Sequence, residues 1–428
     1  MIMLVVIMSC VIMSNLRSGN ADVGFGTLEE RMNYLETKVS ELSTTSDDFK
    51  GTLKEHGSLL GSIKGIQDRV SVGFGLRTQF STTEDGAGTK NDGVSGGRSW
   101  DKDFDVTNMR LYFGAKITDN IRVEFNTEIS NTDGVAGAGV SDDVRLLDAF
   151  VEYTWNDYFH IRFGRHLPAS DRYNLDGPYY QNSYDFPGPG ISAYPFKSTG
   201  RAEGVSYWGQ YKGGKFKWQF SAVEGAEGTA TGNNEDTDHL MYTGRLTYNF
   251  WEPEPGYYNS STFYGEKDVL AIGLVGVHQS DGAGTAAAPT DYTAWNIDFL
   301  LEKNFGWGTI DIEAAYFDYN NHGTSGGTGT TGGAGQAWEV GFSYLYPEKI
   351  GWGQPQIVTR YIENNPTEAD TTSQWTKNKL ELGLHYIIQG HNAKIALVYS
   401  NSHLGSDSTD ADWNQDQSAV KLGMQFQH

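Results

Sequence analysis

The run "HIRFGRHLPASDR", residues His160 to Arg172, gathers Arg162, Arg165, His166, Asp171 and Arg172, and Lys197 and Arg201 return further along the chain. A patch of cations with one acid and one imidazole can attract and discriminate small ions wherever a water path narrows. The same residues can instead form a wall network, in which arginines and carboxylates on adjacent strands neutralise each other because buried charges need partners. Other chemistry fares worse. His160 and Asp148 could share a face, but no nucleophile is marked beside them, so no enzyme is expected. The Gly-rich "GTSGGTGTTGGAGQ" lacks the Lys-Ser/Thr of a phosphate loop. The only cysteine, Cys10, lies in the apolar N-terminal run, so no thiolate metal site, disulfide framework or haem attachment is expected, and no cofactor.

Strands must position these groups. From Val70 the apolar period is two: Phe74, Leu76, Thr78 and Phe80 alternate with Gly73, Gly75, Arg77 and Gln79. Leu380, Leu382, Leu384, Tyr386 and Ile388 form an oily face opposite Lys379, Glu381 and His385. Continued to Phe426, the pattern predicts about sixteen strands of about ten residues, each long enough to cross a bilayer when tilted. Short connections such as Asp119-Asn120, Asn156-Asp157 and Gly213-Gly214 alternate with long polar ones such as Ser81 to Asp103, Asn131 to Asp143 and Asn320 to Gly335. That alternation predicts an all-β antiparallel transmembrane barrel, with short turns at one end and long loops at the other. Only Trp251 to Lys267 breaks the rule. Aromatic residues near the strand ends, among them Trp155, Tyr158, Trp251, Trp307 and Trp352, suit interfacial girdles. The last strand alternates Val420, Leu422, Met424 and Phe426, with Gln427 and His428 trailing.

A charge on the lipid face costs about 2 to 4 kcal/mol at midplane, so charges must face inward, where a barrel of this strand number encloses water. The inward set comprises Arg77, Arg110, Arg122, Glu124, Asp148, Glu152, Arg245, Arg360, Lys379 and Lys394, a mixed wall. The net charge of −22 argues against nucleic acid. Its surplus acid sits in loops at Glu224, Glu227, Glu235, Asp236, Asp238, Asp407, Asp410, Asp412 and Asp416, where divalent cations could bridge to anionic headgroups such as those of lipopolysaccharide. Ordinary solvated loop charge is the plainer alternative.

Residues 1–21 begin with an apolar run, Met1 to Met13, and read as a secretory signal cleaved near Ala21. Between 22 and 69, Leu28, Met32, Leu35, Val39 and Leu42 recur at alternating steps of four and three, which predicts a periplasmic helical coiled-coil segment. The alternative is one amphipathic helix folded on the domain's own surface.

The passage "NLDGPYYQNSYDFPGPG", Asn174 to Gly190, has neither period. It lies in the longest connection, 167–200, where prolines stiffen, glycines allow sharp turns and Tyr179, Tyr180, Tyr184 and Phe186 supply anchoring area. We read it as a loop folded inward to constrict the lumen of the barrel, 70–428.

"RLYFGAKITDNIRVEFNTEIS", "VEYTWNDYFHIRFGRHLPASDRYNLDGPYYQNSYDFP" and "GRAEGVSYWGQY" resemble the phosphate-selective porin O/P family. The resemblance implies a sixteen-stranded outer-membrane channel, usually a homotrimer, that passes small solutes and often anions. A barrel sheathing a periplasmic multihaem cytochrome, as an electron conduit, is the competing expectation, and it requires a partner.

Overall fold

The computed structural model describes residues 29, 32–34, 36–41, 43, 44, 50, 54, 69–84, 100–129, 144–188, 190–196, 198–225, 239–285, 288–320, 335–366, 375–405 and 416–428. The expected signal segment, Cys10, Lys197 and most of the loop acids lie outside them. The chain divides into two units, Met1–Asp68 and Arg69–His428. In the first unit the described residues between 29 and 54 are helical, and Met32 and Val39 are exposed. Leu28, Leu35 and Leu42 lie outside the described residues, so no coiled-coil seam is seen.

The second unit is a closed antiparallel barrel of sixteen strands in chain order, β1 closing on β16. The strands are β1 (Val70–Glu84), β2 (Trp100–Lys116), β3 (Ile121–Ile129), β4 (Val144–Asn156), β5 (Phe159–His166), β6 (Ala202–Tyr211), β7 (Phe216–Val223) and β8 (Met241–Asn249). They continue as β9 (Val269–Thr285), β10 (Ala288–Asn304), β11 (Thr309–Asn320), β12 (Gly335–Leu345), β13 (Gln354–Pro366), β14 (Trp375–Gln389), β15 (Ala393–Gly405) and β16 (Asp416–Gln427). The expected loop Ser81 to Asp103 is shorter than the sequence suggested: β1 and β2 stay paired from Ser81↔Asp103 out to Glu84↔Trp100.

Closure needs the chain ends to pair, and the two trailing residues complete that pairing. Gln427 opposes Gly75, the His428 N–H donates to the Phe74 carbonyl at 2.9 Å, and the Phe74 N–H donates back at 3.0 Å. A closed barrel leaves no edge, so no strand is free to template aggregation.

The faces follow the sequence period. Leu380, Leu382, Leu384, Leu397, Leu422, Met424 and Phe426 are exposed on the outside. Near the short turns Tyr158 stacks on Trp218, with centroids 6.5 Å apart, and Trp307 stacks on Tyr344 at 5.9 Å. These rings form an aromatic belt around that end.

The inside departs from the expectation of a wide water-filled lumen. Two segments of the chain occupy it, residues 167–200 from the long-loop end and residues 251–267 from the short-turn end. Two wall glycines admit the first. A Cβ on Gly75 would lie 2.7 Å from the Tyr179 ring, and one on Gly423 would lie 2.3 Å from the Tyr184 ring. Overpacking of this kind costs about 1 to 3 kcal/mol. Gly423→Val is therefore expected to unseat Tyr184, and limited proteolysis should cut near residue 184 at least several-fold faster than in wild type; an unchanged cleavage rate would disprove the seating.

Candidate functional site

The inward segment has two halves with different chemistry. Asp171 begins the first by capping the short helix Arg172–Asp176, accepting from the Tyr173 N–H at 2.9 Å and the Asn174 N–H at 3.3 Å. The chain then crosses the lumen, held by polar contacts from the far wall. The Gln425 side chain donates to the Tyr179 carbonyl at 2.8 Å, and Lys394 Nζ donates to the Gln181 carbonyl at 2.9 Å. Asn182 donates to Asp311 at 2.8 Å, Ser183 to Glu381 at 3.1 Å, and Arg77 to the Tyr184 carbonyl. The second half is oily. Ile191, Ala193, Tyr194 and Phe196 pack against Val275, Val277, Ala294, Phe317 and Tyr319 of β9 to β11.

The segment from the short-turn end meets the first half. Arg172 grips Glu254 with both terminal nitrogens, at 2.7 and 2.8 Å, and Ser261 donates to Asp176 at 2.5 Å. Sequence reasoning marked 251–267 as an exception and did not place it in the lumen. Its composition was the available signal, since Pro253, Pro255, Tyr257 and Tyr258 repeat the proline-and-tyrosine character of the 174–190 passage.

The predicted cation cluster is brought together as a set of ion pairs. Arg162, fully buried, donates Nε and Nη2 to Glu152 at 3.0 and 2.8 Å, and its guanidinium lies 4.0 Å from the Tyr257 ring centroid. Arg165 meets Glu203 at 2.6 Å, and Arg201 spans Asp148 at 3.3 and 3.4 Å. His166 is buried between the Gly164 carbonyl and the Ser206 hydroxyl. His160 stacks on Trp208 at 3.7 Å, apart from Asp148, which Arg201 engages.

The inward set divides likewise. Arg245 pairs with Asp298 at 2.5 and 2.8 Å, Arg360 with Glu381, and Lys394 is fully buried, all beneath the inward segment. Arg77 is buried under Tyr184, 4.4 Å from its ring centroid. Arg122 and Glu124, with side chains 43% and 22% exposed, pair at 2.9 Å at the edge of the water space, and Arg122 also meets Glu152 at 2.9 Å. Lys379 and Lys421, at 15% and 22%, surround Asp185 with Arg360, whose Nη2 donates to the Asp185 carbonyl at 2.8 Å. Burial opposes ionisation of Asp185, but Lys421 and Lys379 hold its carboxyl well below the usual carboxylate range. A cavity of about 940 Å³ remains between β2 to β4, the inward segment and the short-end insertion.

The phosphate-selective porin O and P family matches residues 86–258, which include β2 to β8 and the inward segment. Over that stretch the chain resembles the phosphate-selective porins. No curated protein sequence matches it. Among solved structures, an anion-selective porin from Comamonas acidovorans aligns over 84% of this chain and 99% of its own, at 14% identity and a TM-score of 0.51. The outer-membrane channel DcaP of Acinetobacter baumannii aligns over 84% and 97%, at 14% identity and 0.51. Salmonella typhi OmpF aligns over 84% and 97%, at 11% identity and 0.53. At such identities the likeness establishes the porin barrel fold.

Two outcomes test the anchoring of the barrel's inward segment. Arg172→Met leaves Glu254 buried without its cation and should cost about 3 to 5 kcal/mol, whereas Arg172→Met with Glu254→Met should recover most of that in thermal unfolding. If the double variant is no more stable than the single, the pair is not what holds the two segments together. Burial pushes the Asp171 carboxyl up to about 6, although Ser192 donates to it. A raised carboxyl contributes stability below its unfolded value that is lost as pH rises through about 6. Asp171→Asn keeps the cap acceptor, so its melting temperature should fall less than that of wild type between pH 5 and pH 8; equal falls would contradict this.

Proposed function

We propose that the protein is an outer-membrane porin, a water-filled channel for passive diffusion of small solutes and ions. The observation that carries this reading is an inward segment that crosses a sixteen-stranded barrel and leaves a polar, solvent-lined space beside β2 to β4. Long loops then face outside the cell and the short turns face the periplasm, the compartment that also holds residues 22–69. The same reading makes the protein a homotrimer reinforced by a coil of residues 22–69. The cytochrome-sheath reading needs a lumen that a partner can enter. Residues 167–196 and 251–267 of the chain itself fill much of that space, which favours the channel.

Selectivity belongs to charges that still face water, because salt screens interactions beyond about 8 Å and paired buried charges have little field left to offer. Around Asp185 the partly exposed Lys379 and Lys421 outnumber the one acid they share, which favours anions. Asp185→Asn removes one acid from that group. Its reversal potential in a KCl gradient across a planar bilayer should move toward anions, with the permeability ratio rising about fivefold for about 1 kcal/mol of lost attraction to cations. An unmoved reversal potential would place selectivity elsewhere, and an absence of channels would end the porin reading.

A further inference from the structure

We propose that the cavity at the short-turn end is a binding site for uncharged, hydroxyl-rich ring solutes of the mono- and disaccharide class. The inference rests on the channel reading, which supplies the route to it. Liquid water takes about 30 Å³ per molecule, so a space of about 940 Å³ has room for one or two sugar rings with water around them.

Its border is aromatic. Tyr112 comes from β2, Tyr179 and Tyr180 from the inward segment, and Tyr258, Phe263 and Tyr264 from the short-end insertion. Such rings offer broad contact area at small rotamer cost, with a hydroxyl at one end to meet a polar group. The C–H face of a sugar fits them. Tyr180 is the ring most open to the space, 44% exposed beside His391, whose ring centroid lies 4.8 Å away.

Charge argues against an ion as the ligand. The bordering cations Arg110, Arg201, Lys267 and Lys349 are matched by Glu124, Asp148, Asp176, Glu254 and Glu266. Arg110 already meets Glu128 at 2.8 Å, Arg201 meets Asp148, and Glu254 meets Arg172. An anion would therefore find more acids than cations, most of them engaged. Hydroxyl groups, each donor and acceptor at once, suit a border where guanidinium and carboxylate edges alternate.

Saturation-transfer NMR on the folded full chain in lauryldimethylamine oxide micelles tests the site, with maltose and citrate as probes. Transfer to maltose ring protons is expected, falling about fivefold in Tyr180→Ala and returning in Tyr180→Phe, with weaker transfer to citrate. No transfer to maltose, equal transfer in wild type and Tyr180→Ala, or stronger transfer to citrate would overturn the proposal. Planar-bilayer conductance of the same preparation is a separate readout. A conducting channel without maltose transfer overturns the site and leaves the channel standing; transfer in a protein that never conducts supports the site and overturns the channel.

Discussion

Every second residue of a barrel strand points inward, and each polar group it carries needs either water or a partner. That constraint governs this molecule. A sixteen-stranded wall has more inward polar groups than the remaining space can hydrate once two segments enter it, so the segments themselves must satisfy the wall. They do so largely through backbone carbonyls. Tyr179, Gln181, Tyr184 and Asp185 each present a carbonyl to a wall side chain, from Gln425, Lys394, Arg77 and Arg360 respectively. Irregular backbone is tolerated at membrane depth only where it is buried in protein or lines water, and here it is the complement of the wall. The Arg172–Glu254 pair then ties the two segments to each other, so neither can move without exposing a charge the other neutralises.

Polar bonding alone would leave the inward segment poorly seated, because water competes for each bond and the net gain per bond is about 1 kcal/mol. The apolar half supplies a non-directional term. Its partners explain an irregularity of β9, whose inner face carries Val269, Ala271, Val275 and Val277 while Leu270, Ile272 and Leu274 face outward. A strand oily on both faces is buried on both faces. On β9 the lipid covers one side, and Ile191, Ala193, Tyr194 and Phe196 contribute to the cover on the other.

The barrel was legible because its signal is local and repeated. A period of two, strands near ten residues and alternating connection lengths are each imposed by the bilayer, and they recur sixteen times. The inward course of 167–200 was legible for the opposite reason, as an aromatic, proline-rich passage too irregular for a strand and too apolar for an exposed loop. Pairing was not legible. Nothing in the order of residues says that Arg162 and Arg122 share Glu152 while only Arg122 stays partly open to water, since that depends on where the two segments come to rest. The inner face of β9 and the tyrosines of 251–267 did hold that information. Both are departures from the rule of their own element, and a departure marks a contact the rule does not include.

Reading selectivity from sequence fails for the same reason. The net charge of −22 suggests a cation channel, and an arginine-rich run such as 162–172 suggests an anion channel. Neither sum reaches the permeating ion. A guanidinium held bidentate by a buried carboxylate presents a dipole, whose field falls faster with distance than that of a charge, and loop acids more than a screening length away are masked by salt. What stays near solvent is a small remainder, the partly exposed Arg122–Glu124 pair and the lysines around Asp185. The charge a wall sums to and the charge it shows to solvent are therefore different quantities, and a wall of matched buried pairs stays close to neutral while a few solvated groups keep their field.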